Sequence, residues 1–389
     1  MNQPNVSRKS APRMRRSRWF MAAIPIAAIA GAAAVLSSAG AAGAQSADDF
    51  TQTNLVANTS TQGAQLVDPN LQNAWGLTAS PSGPIWVSDN NSGKATVYTG
   101  GVNGSAVNLE LTVRVPGGNA TGQVFNSTAD FPVGGTSGSA ADFIVSSDSV
   151  GATQSPGRIE AWNGGAKFIV EDGPTGGAGG TTPANAVFKG IAISPKSKSG
   201  PLLYAADVAN ATIDIFNDDF EPVSMPGTFT DPSLPAGYAP FNIAYLGGKL
   251  YVTYGKQNAK KTDVVPGNGF GVVDVYNVNG KLLQHLISNG PTSPLDEPWG
   301  VAIAPSSFGP FSGDLLVGNL GNGWINAFDP STGAFVGTLD GSKGHPITID
   351  GLWGLEVGNA AFGGSSSIVF SAGPEGYADG LLGILDPAS

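Results

Sequence analysis

The most constraining feature of this 389-residue sequence is a phrase that recurs along it. The stretch "AWGLTASPSGPIWVSDNNSGKATVYTGG", residues 74–101, returns as "PWGVAIAPSSFGPFSGDLLVGNLGNGWINAFDPSTG" from residue 298, and weaker copies lie between them. Each copy alternates short runs of Val, Ile, Leu, Tyr and Phe with turn residues, a pattern that predicts β-strands. The repeat length is roughly 55 residues, which is typical of propeller blades.

Six such units are recognisable. Their innermost strands are predicted near residues 75–79, 122–126, 189–194, 241–245, 299–304 and 353–357, and three further strands follow in units one to five, including one at 222–225 in unit three. Unit six lacks a fourth strand, whereas "FTQTNLVAN" at residues 50–58 has no partner. Pairing the two removes two open sheet edges. The sequence therefore predicts an all-β, six-bladed β-propeller whose last blade is closed by the N-terminal strand.

Three innermost strands open with the same dipeptide: Trp75-Gly76, Trp299-Gly300 and Trp353-Gly354. Glycine lets neighbouring backbones converge at a crowded axis. Tryptophan buries a large apolar area, and we expect these side chains to pack between adjacent blades. Repetition at equivalent positions is what structural packing demands.

Residues 1–44 differ from the rest. Six basic residues precede an apolar stretch from 19 to 35, and Ala42-Gly43-Ala44 matches a cleavage signal, so we expect a signal peptide cut before Gln45 and a single propeller domain over 45–389. An uncleaved membrane anchor is the alternative, although the apolar run is short for a span. The predicted location is outside the cell, and the export route, general secretion or twin-arginine, stays open.

Charge and cysteine content exclude several functions. Without residues 1–44 the chain has 13 basic and 29 acidic residues, a net charge of −16. Such a surface repels nucleic acid and anionic membranes, so neither is expected as a partner. The chain has no cysteine, which excludes thiol nucleophiles and cysteine-bound zinc. A chain of this size buries enough apolar surface to fold without disulfides. We expect the protein to be a monomer.

The repeated phrases quoted above resemble those of NHL-repeat propellers and of the related lactonase-like six-bladed propellers. The N-terminal segment "NLVANTS…LVDPNLQNAWGL", followed by "WVSDNNSG", also resembles the sequences of an uncharacterised family of secreted bacterial propellers. The resemblance covers about residues 50–387. It implies the fold more strongly than a function, because propellers carry binding, scaffolding, lyase and hydrolase roles.

Ligands of propellers normally bind at the channel face, where loops enter each innermost strand and follow each second strand. Polar residues occur at these points. Asp89, Asp148 and Asp207 are spaced at 59-residue intervals, and Asn319 takes the corresponding place in unit five. The ligand-binding candidates are Asn73, Asp89, Asp148, Asp207, Glu297, Asn319 and Asp350.

Two interpretations of the acidic residues remain open. A ring of carboxylates suits Ca²⁺, which takes six to eight oxygen ligands. The lactonase-like resemblance implies such an ion in the channel, where it would polarise a carbonyl group. The alternative is that each Asp caps the turn after its strand, as "DNNSG" from Asp89 indicates.

No catalytic residues can be assigned from the sequence. The chain has two histidines: His285 in a predicted outer strand, where a packed or rim side chain is expected, and His345 in a loop. For His345 no Ser or Asp partner is identifiable, and no nucleophilic triad can be assembled with specificity. Two long connections stand out, at 171–186 and at 255–269, and the second, with Lys256, Lys260 and Lys261, is either a solvated tip or a ligand-contacting loop.

These observations favour a secreted module that binds a small molecule, a glycan or a protein through its channel face. The alternative is a divalent-metal-dependent hydrolase of the lactonase type, with ligands among the acidic candidates. A structural protein of the envelope or matrix is a third option. The ligand and the physiological process are not specified by the sequence.

Overall fold

The computed structural model of the protein describes residues 49–148, 156–172, 185–198, 200–342 and 344–388. The predicted signal peptide at 1–44 and most of the long connection at 171–186 lie outside the described residues. Within the described ranges, no helix combines the length and the apolar character needed to cross a membrane.

The six predicted units fold into six antiparallel sheets. Before them come β1 (Phe50–Ala57) and β2 (Leu66–Val67). Blade 1 contains β3 (Ala74–Ala79), β4 (Ile85–Asp89), β5 (Lys94–Thr99) and β6 (Asn108–Arg114). Blade 2 contains β7 (Ala120–Phe125), β8 (Phe143–Ser147), β9 (Arg158–Trp162) and β10 (Ile169–Asp172). Blade 3 contains β11 (Phe188–Ser197), β12 (Gly200–Asp207) and β13 (Thr212–Phe216).

The remaining blades follow the same order from the inside outward. Blade 4 contains β14 (Tyr238–Leu246), β15 (Lys249–Lys256), β16 (Gly271–Tyr276) and β17 (Leu282–Ile287). Blade 5 contains β18 (Pro298–Ile303), β19 (Leu315–Asn319), β20 (Ile325–Phe328) and β21 (Phe335–Thr338), and a two-stranded ribbon of β22 (Asp340–Gly341) and β23 (His345–Pro346) follows it. Blade 6 contains β24 (Leu352–Val357), β25 (Ile368–Ala372) and β26 (Leu381–Pro387). The short helical turns are Ser60–Gln62, Val102–Gly104, Gly309–Phe311 and α1 (Pro374–Tyr377).

The N-terminal strand closes the ring. β1 runs antiparallel to β26, with Phe50 opposite Pro387 and Ala57 opposite Leu381, and it completes blade 6 as the fourth strand. The ring of Phe50 packs 4.9 Å from that of Phe308, which anchors the strand to the neighbouring blade 5 loop. The pairing that the sequence predicts is therefore present.

Glycines at the start of the innermost strands let the blades meet. A Cβ on Gly300 would lie 2.5 Å from the carbonyl oxygen of Trp353, and one on Gly354 would lie 2.7 Å from that of Trp75. Real Cβ atoms do not approach backbone so closely, so a side chain here would push neighbouring blades apart. This agrees with the role predicted for the glycines of the Trp-Gly pairs.

Blade 3 differs from the prediction. The segment expected as its fourth strand, at 222–225, makes only an isolated bridge between Phe216 and Pro222. Pro222 has no N–H to donate and so limits the segment's pairing. The long connection after it covers the blade edge and leaves a cavity of about 610 Å³ beneath residues that include Phe229 and Leu234.

Candidate functional site

The six innermost strands place one residue each at the same level of the axis. In strand order these residues are Trp75, Thr121, Lys189, Phe241, Trp299 and Trp353. Trp75 stacks on Trp353 with ring centroids 3.6 Å apart, and Trp299 meets that pair edge-on at 5.9–6.1 Å. The tryptophans therefore meet one another at the axis, whereas the sequence analysis expected them between adjacent blades. Their buried rings close the channel and form the floor of its mouth.

Lys189 occupies the tryptophan position in blade 3. Its Nζ lies 3.1 Å from Asp148, 3.2 Å from Asp263 and 4.9 Å from the centroid of the Trp75 ring. The side chain is only 3% exposed. Burial alone would lower the pKa of Lys189, but Asp263 and Asp148 outweigh that effect and raise the pKa. A buried lysine held by two carboxylates is therefore charged, and it gives the mouth a fixed cation.

Glu297 enters the same mouth two residues before Trp299. It is buried, and its carboxylate makes no hydrogen bond to the residues that the structure describes. Burial, followed by the nearby charges of Asp263 and Asp296, raises the pKa of Glu297 to about 8. Near neutral pH the side chain is therefore mostly a protonated acid that can donate a hydrogen bond.

Tyr377 forms the rim. Its ring lies 5.8 Å from that of Trp353, and the residue is 41% exposed. Burial raises the pKa of Tyr377 to about 12, and the next causes are the carboxylates of Glu297, Asp263 and Asp350. The hydroxyl therefore sits among the acids of the mouth. We call the set Asp148, Lys189, Asp263, Glu297 and Tyr377 the mouth cluster.

Backbone strain concentrates around the mouth cluster. Glu297 and Tyr377 both have left-handed backbones, with φ of 52° and 70°, and so do Asn73 (49°) and Glu375 (57°). Such conformations cost free energy in residues other than glycine and persist where the surrounding structure enforces them. Their proximity to an unpaired buried acid is typical of a functional site.

The candidates Asp148, Glu297 and Asp350 lie at or beside the mouth. Asp148 pairs with Lys189, and Asp350 is exposed at the rim, where it accepts a hydrogen bond of 2.9 Å from the Glu375 backbone N–H. Asn73 is buried behind the rim, where its Oδ1 accepts a hydrogen bond of 3.0 Å from Trp353 Nε1. Its role is to hold the floor in place.

The other three candidates do not face the opening. Asp207 caps its turn, because its carboxylate accepts hydrogen bonds from the backbone N–H groups of Val187 and Ala209 at 3.0 Å. Asn319 donates a hydrogen bond of 2.8 Å to the Pro294 carbonyl. Asp89 is fully buried, and burial raises its pKa well above the ordinary value. Asp207 and Asn319 therefore support the loops, and Asp89 is enclosed within blade 1, where its carboxylate oxygens are buried without a hydrogen-bond partner among the described residues.

The equal 59-residue spacing of Asp89, Asp148 and Asp207 does not correspond to equivalent positions in their blades. Asp89 lies opposite Ala74, and Asp207 lies opposite Phe188, both at the first paired position of the blade. In blade 2 the residue at that position, opposite Ala120, is Ser147. Asp148 lies one residue further along, beyond the strand end, and this shift is what delivers it to Lys189.

Sequence reasoning missed Lys189, Asp263 and Tyr377. A signal for Lys189 was available, since "FKGIAIS" aligns with "AWGLTAS" and puts lysine where the repeat has tryptophan. Asp263 belongs to the long connection at 255–269, which was noted for its lysines. None of those three lysines belongs to the mouth cluster: Lys256 lies over the Phe270 ring at 4.5 Å, and Lys260 and Lys261 are exposed.

On the other side of the tryptophan floor the channel widens into a cavity of about 300 Å³. Leu77, Ile191, Ile243 and Val301 line it, and Glu356 is its ionisable residue. Burial raises the pKa of Glu356 to about 7. This cavity is mostly apolar, whereas the mouth cluster is polar and charged.

One group of acid and histidine side chains has the spacing of metal ligands, and it lies away from the channel. Among the described residues, the only such group of three or more is Asp231, Asp274 and His285, whose ligand atoms lie within 4.8 Å of one another. The calcium ring that the sequence analysis considered is therefore not assembled by the described carboxylates.

These features define the class of the protein as a six-bladed β-propeller with a closed channel and a polar mouth. The chain is 30% identical over 342 residues to "Uncharacterized protein R648" of Acanthamoeba polyphaga mimivirus, which covers 85% of this chain and 78% of that protein. It is also 30% identical over 326 residues to "Uncharacterized protein L690" of the same virus, covering 82% and 81%. The chain belongs to the family of these two proteins. Because they are viral, they do not support the bacterial origin that the resemblance implied.

Solved structures show the same fold at low identity. The α-L-arabinanase of Penicillium chrysogenum, solved with arabinobiose, is 14% identical with a TM-score of 0.54 and covers 86% of this chain and 98% of that one. The α-L-arabinofuranosidase Arb93A of Fusarium graminearum is 12% identical with a TM-score of 0.52 and covers 87% and 98%. No family model matches the chain.

Proposed function

We propose that the protein binds a small, neutral, hydroxyl-rich ligand such as a saccharide at the mouth cluster. The observation that carries the proposal is the buried acid Glu297, whose carboxylate makes no hydrogen bond among the described residues and lies near the carboxylate of Asp263, an ion-pair partner of Lys189. The Glu297 oxygens keep contact with solvent at the mouth, so a ligand hydroxyl can reach them and form the hydrogen bond that the described residues do not supply.

The chemistry of the mouth cluster suits hydroxyl groups. Protonated Glu297 donates a hydrogen bond, while Asp148 and Asp263 accept hydrogen bonds, so both functions of a hydroxyl can be satisfied. The half-exposed ring of Tyr377 offers an apolar face to the C–H surface of a sugar. One lysine between two carboxylates leaves a net charge of −1, which disfavours an anionic ligand.

The metal-dependent hydrolase is the weaker candidate. It required several carboxylates around one channel ion, and Asp207 instead caps a backbone turn. The arrangement of the mouth supports binding, and we propose no catalytic step.

We also propose that the protein acts outside the cell as a monomer. The support is the signal-peptide pattern of residues 1–44 and the acidic composition of the remainder. Sequencing the N-terminus of exported protein tests the first point, and an intact segment at 19–35 would contradict it. Light scattering of the purified protein tests the second.

The binding proposal is tested by titration with neutral oligosaccharides. Arabinobiose is the first probe because a propeller of the same fold was solved with it, and xylobiose and cellobiose extend the panel. Tryptophan fluorescence is the readout, since Trp353 contacts the rim ring of Tyr377. We expect saturable binding that Tyr377→Ala weakens, while Tyr245→Ala, outside the mouth cluster, leaves it unchanged. Absence of binding across the panel would contradict the proposal.

A further inference from the structure

A second polar site lies at the outer edge of blades 3 and 4. Asp274 is on β16, His285 is on the outermost strand β17, and Asp231 is in the connection after blade 3. His285 Nδ1 lies 2.8 Å from Asp274 Oδ1 and 2.8 Å from Asp231 Oδ2. Two carboxylate oxygens from separate parts of the chain therefore converge on one ring nitrogen.

Only one of these two carboxylate oxygens can accept a full hydrogen bond from the ring nitrogen. The Nδ1 atom carries at most one hydrogen, and its hydrogen bond goes to Asp274. Asp231 Oδ2 is then buried without a hydrogen-bond partner among the described residues, on a side chain only 1% exposed. An unpaired buried carboxylate oxygen is costly, and it is aimed at the same point as the other two ligand atoms.

Outer contacts fix each of the three side chains. The second oxygen of Asp274 accepts a hydrogen bond of 3.1 Å from the Tyr276 hydroxyl, and Asp231 Oδ1 accepts one of 2.8 Å from the Ser233 N–H. His285 Nε2 lies 3.0 Å from Ser288 Oγ. Metal ligands in proteins are typically oriented by hydrogen bonds of this kind.

We propose that Asp231, Asp274 and His285 bind a divalent transition-metal ion, with zinc as the preferred ion. Zinc binds nitrogen and carboxylate oxygen at about 2.0–2.2 Å in tetrahedral geometry, which places neighbouring ligand atoms about 3.4 Å apart. The three ligand atoms lie within 4.8 Å of one another, with 2.8 Å from His285 Nδ1 to each carboxylate oxygen, so small side-chain shifts would admit the ion. A nitrogen donor with only two carboxylates disfavours calcium and magnesium. The cation would neutralise both carboxylates and satisfy the unpaired oxygen.

The location leaves room for further ligands. His285 is 22% exposed, so the site reaches solvent on one side. Asp231 also lies on the wall of the cavity of about 610 Å³ left by the incomplete blade 3. Three protein ligands with an accessible position are characteristic of zinc that coordinates water or a substrate.

A serine nucleophile is the competing explanation, since Ser288, His285 and Asp274 follow one another through hydrogen bonds as in a Ser–His–Asp triad. A triad uses one carboxylate on Nδ1. It leaves the second carboxylate, Asp231, and its unpaired oxygen without a role, whereas the metal uses all three atoms.

The test uses zinc itself with the purified protein. After dialysis against zinc and removal of the excess, elemental analysis should give one zinc per chain, and calorimetric titration should give a single saturable site. His285→Ala should abolish binding, and Asp231→Asn should weaken it at least tenfold. His345→Ala, which removes the other histidine, and Asp219→Asn should change nothing.

Two further measurements separate the site from a structural charge cluster. Tyr276→Phe keeps the ring but removes a hydroxyl that orients Asp274, and it should weaken zinc about 10–100-fold. Cobalt bound to the wild-type protein should give visible absorption bands that zinc displaces. Zinc binding that is absent, or equal in Asp231→Asn, would overturn the proposal. So would labelling of Ser288 by a fluorophosphonate in a zinc-treated sample.

Discussion

The paired strands β1 and β26, which we call the seam, close the ring. Their composition differs from that of the mouth of the channel. At the seam, β1 contains no charged residue, and seven of its residues pair with β26. Leu55, Val56 and Ala57 are fully buried there. At the mouth, by contrast, Lys189, Asp148 and Glu297 are buried charges or acids on a partly strained backbone.

The difference indicates that the seam stabilises the fold, whereas the mouth lowers the free energy of unfolding. Apolar burial and backbone pairing at seven of the eight β1 residues stabilise the seam at little cost. Buried charges and left-handed backbones lower stability unless they serve another role. Changes at the seam should therefore only destabilise the protein, whereas some changes at the mouth should stabilise it and impair binding.

The largest effect is expected from removing the seam strand. Deleting residues 50–57 exposes the edge of β26 and the apolar side chains beneath it, so the protein should aggregate or fail to show a cooperative unfolding transition. Thermal unfolding followed by circular dichroism measures this. A truncation starting at Asp49 keeps β1 and serves as the control. A deletion variant with the parental melting temperature would show that the ring closes without β1.

The next largest loss of stability should come from breaking the ion pairs of the mouth. Lys189→Met leaves Asp148 and Asp263 without their cation. Removal of one partner of a fully buried pair costs about 3–5 kcal/mol, and the loss should be smaller here, about 1–3 kcal/mol, because the side chains of Asp148 and Asp263 are 16% and 41% exposed. Urea unfolding at pH 7 measures the loss, with the exposed Lys249→Met as the control. The further change Asp148→Asn in the Lys189→Met background should restore part of the stability. A loss no greater than that of the control would mean that Lys189 is not held as described.

Glu297→Gln should stabilise the protein, with an effect that depends on pH. The pKa of Glu297 rises from an ordinary 4.5 to about 8 in the folded protein, so the folded state binds the proton more tightly. Stability of the wild type is therefore lost as pH rises through this window, whereas glutamine does not ionise. The two proteins should match at pH 4.5, and the variant should be roughly 2–4 kcal/mol more stable at pH 8.

Denaturant titrations of both proteins at several pH values check this difference. Burial also raises the pKa of Glu160 and Glu356 to about 7, but both proteins share those residues, so the difference isolates Glu297. The exposed Glu221→Gln is the matched control. A stability difference independent of pH would contradict the assignment of a buried, protonated Glu297.

The smallest effect on stability is expected at the rim. Tyr377→Ala removes a ring that is 41% exposed, so it should change the free energy of unfolding by less than about 1 kcal/mol. The same change should weaken ligand binding strongly. If Tyr377→Ala lowers the free energy of unfolding more than it lowers the free energy of binding, Tyr377 has a structural role and not a role in ligand binding.

The regular parts of the molecule were predictable because they repeat. The strand pattern and the unpaired segment at 50–58 indicated the six blades and the closing strand, since short-range patterning and edge pairing determine both. The incomplete blade 3 was not predicted, because Pro222 limits pairing in a segment whose composition otherwise favours a strand.

The candidate site was predicted only in part. Glu297, Asp148 and Asp350 were placed on the channel face from their position before or after a strand. Asp89 and Asp207 share that position yet point into the blade, because a one-residue difference in register decides which side a strand-end residue faces. Lys189 and Asp263 come from different blades, and the Asp231–Asp274–His285 group joins three separate elements. Such contacts over long sequence distances leave no local pattern.

The most direct test of the central claim is a saccharide titration of three proteins in parallel: the wild type, Glu297→Ala and the control Glu110→Ala. Glu110 is on the outer strand β6 and exposed, so its loss should not alter the dissociation constant. Loss of the buried acid should weaken binding about two- to tenfold, since a hydrogen bond between neutral groups contributes about 0.5–1.5 kcal/mol. Equal dissociation constants for Glu297→Ala and the wild type would contradict the claim that the mouth cluster is the binding site.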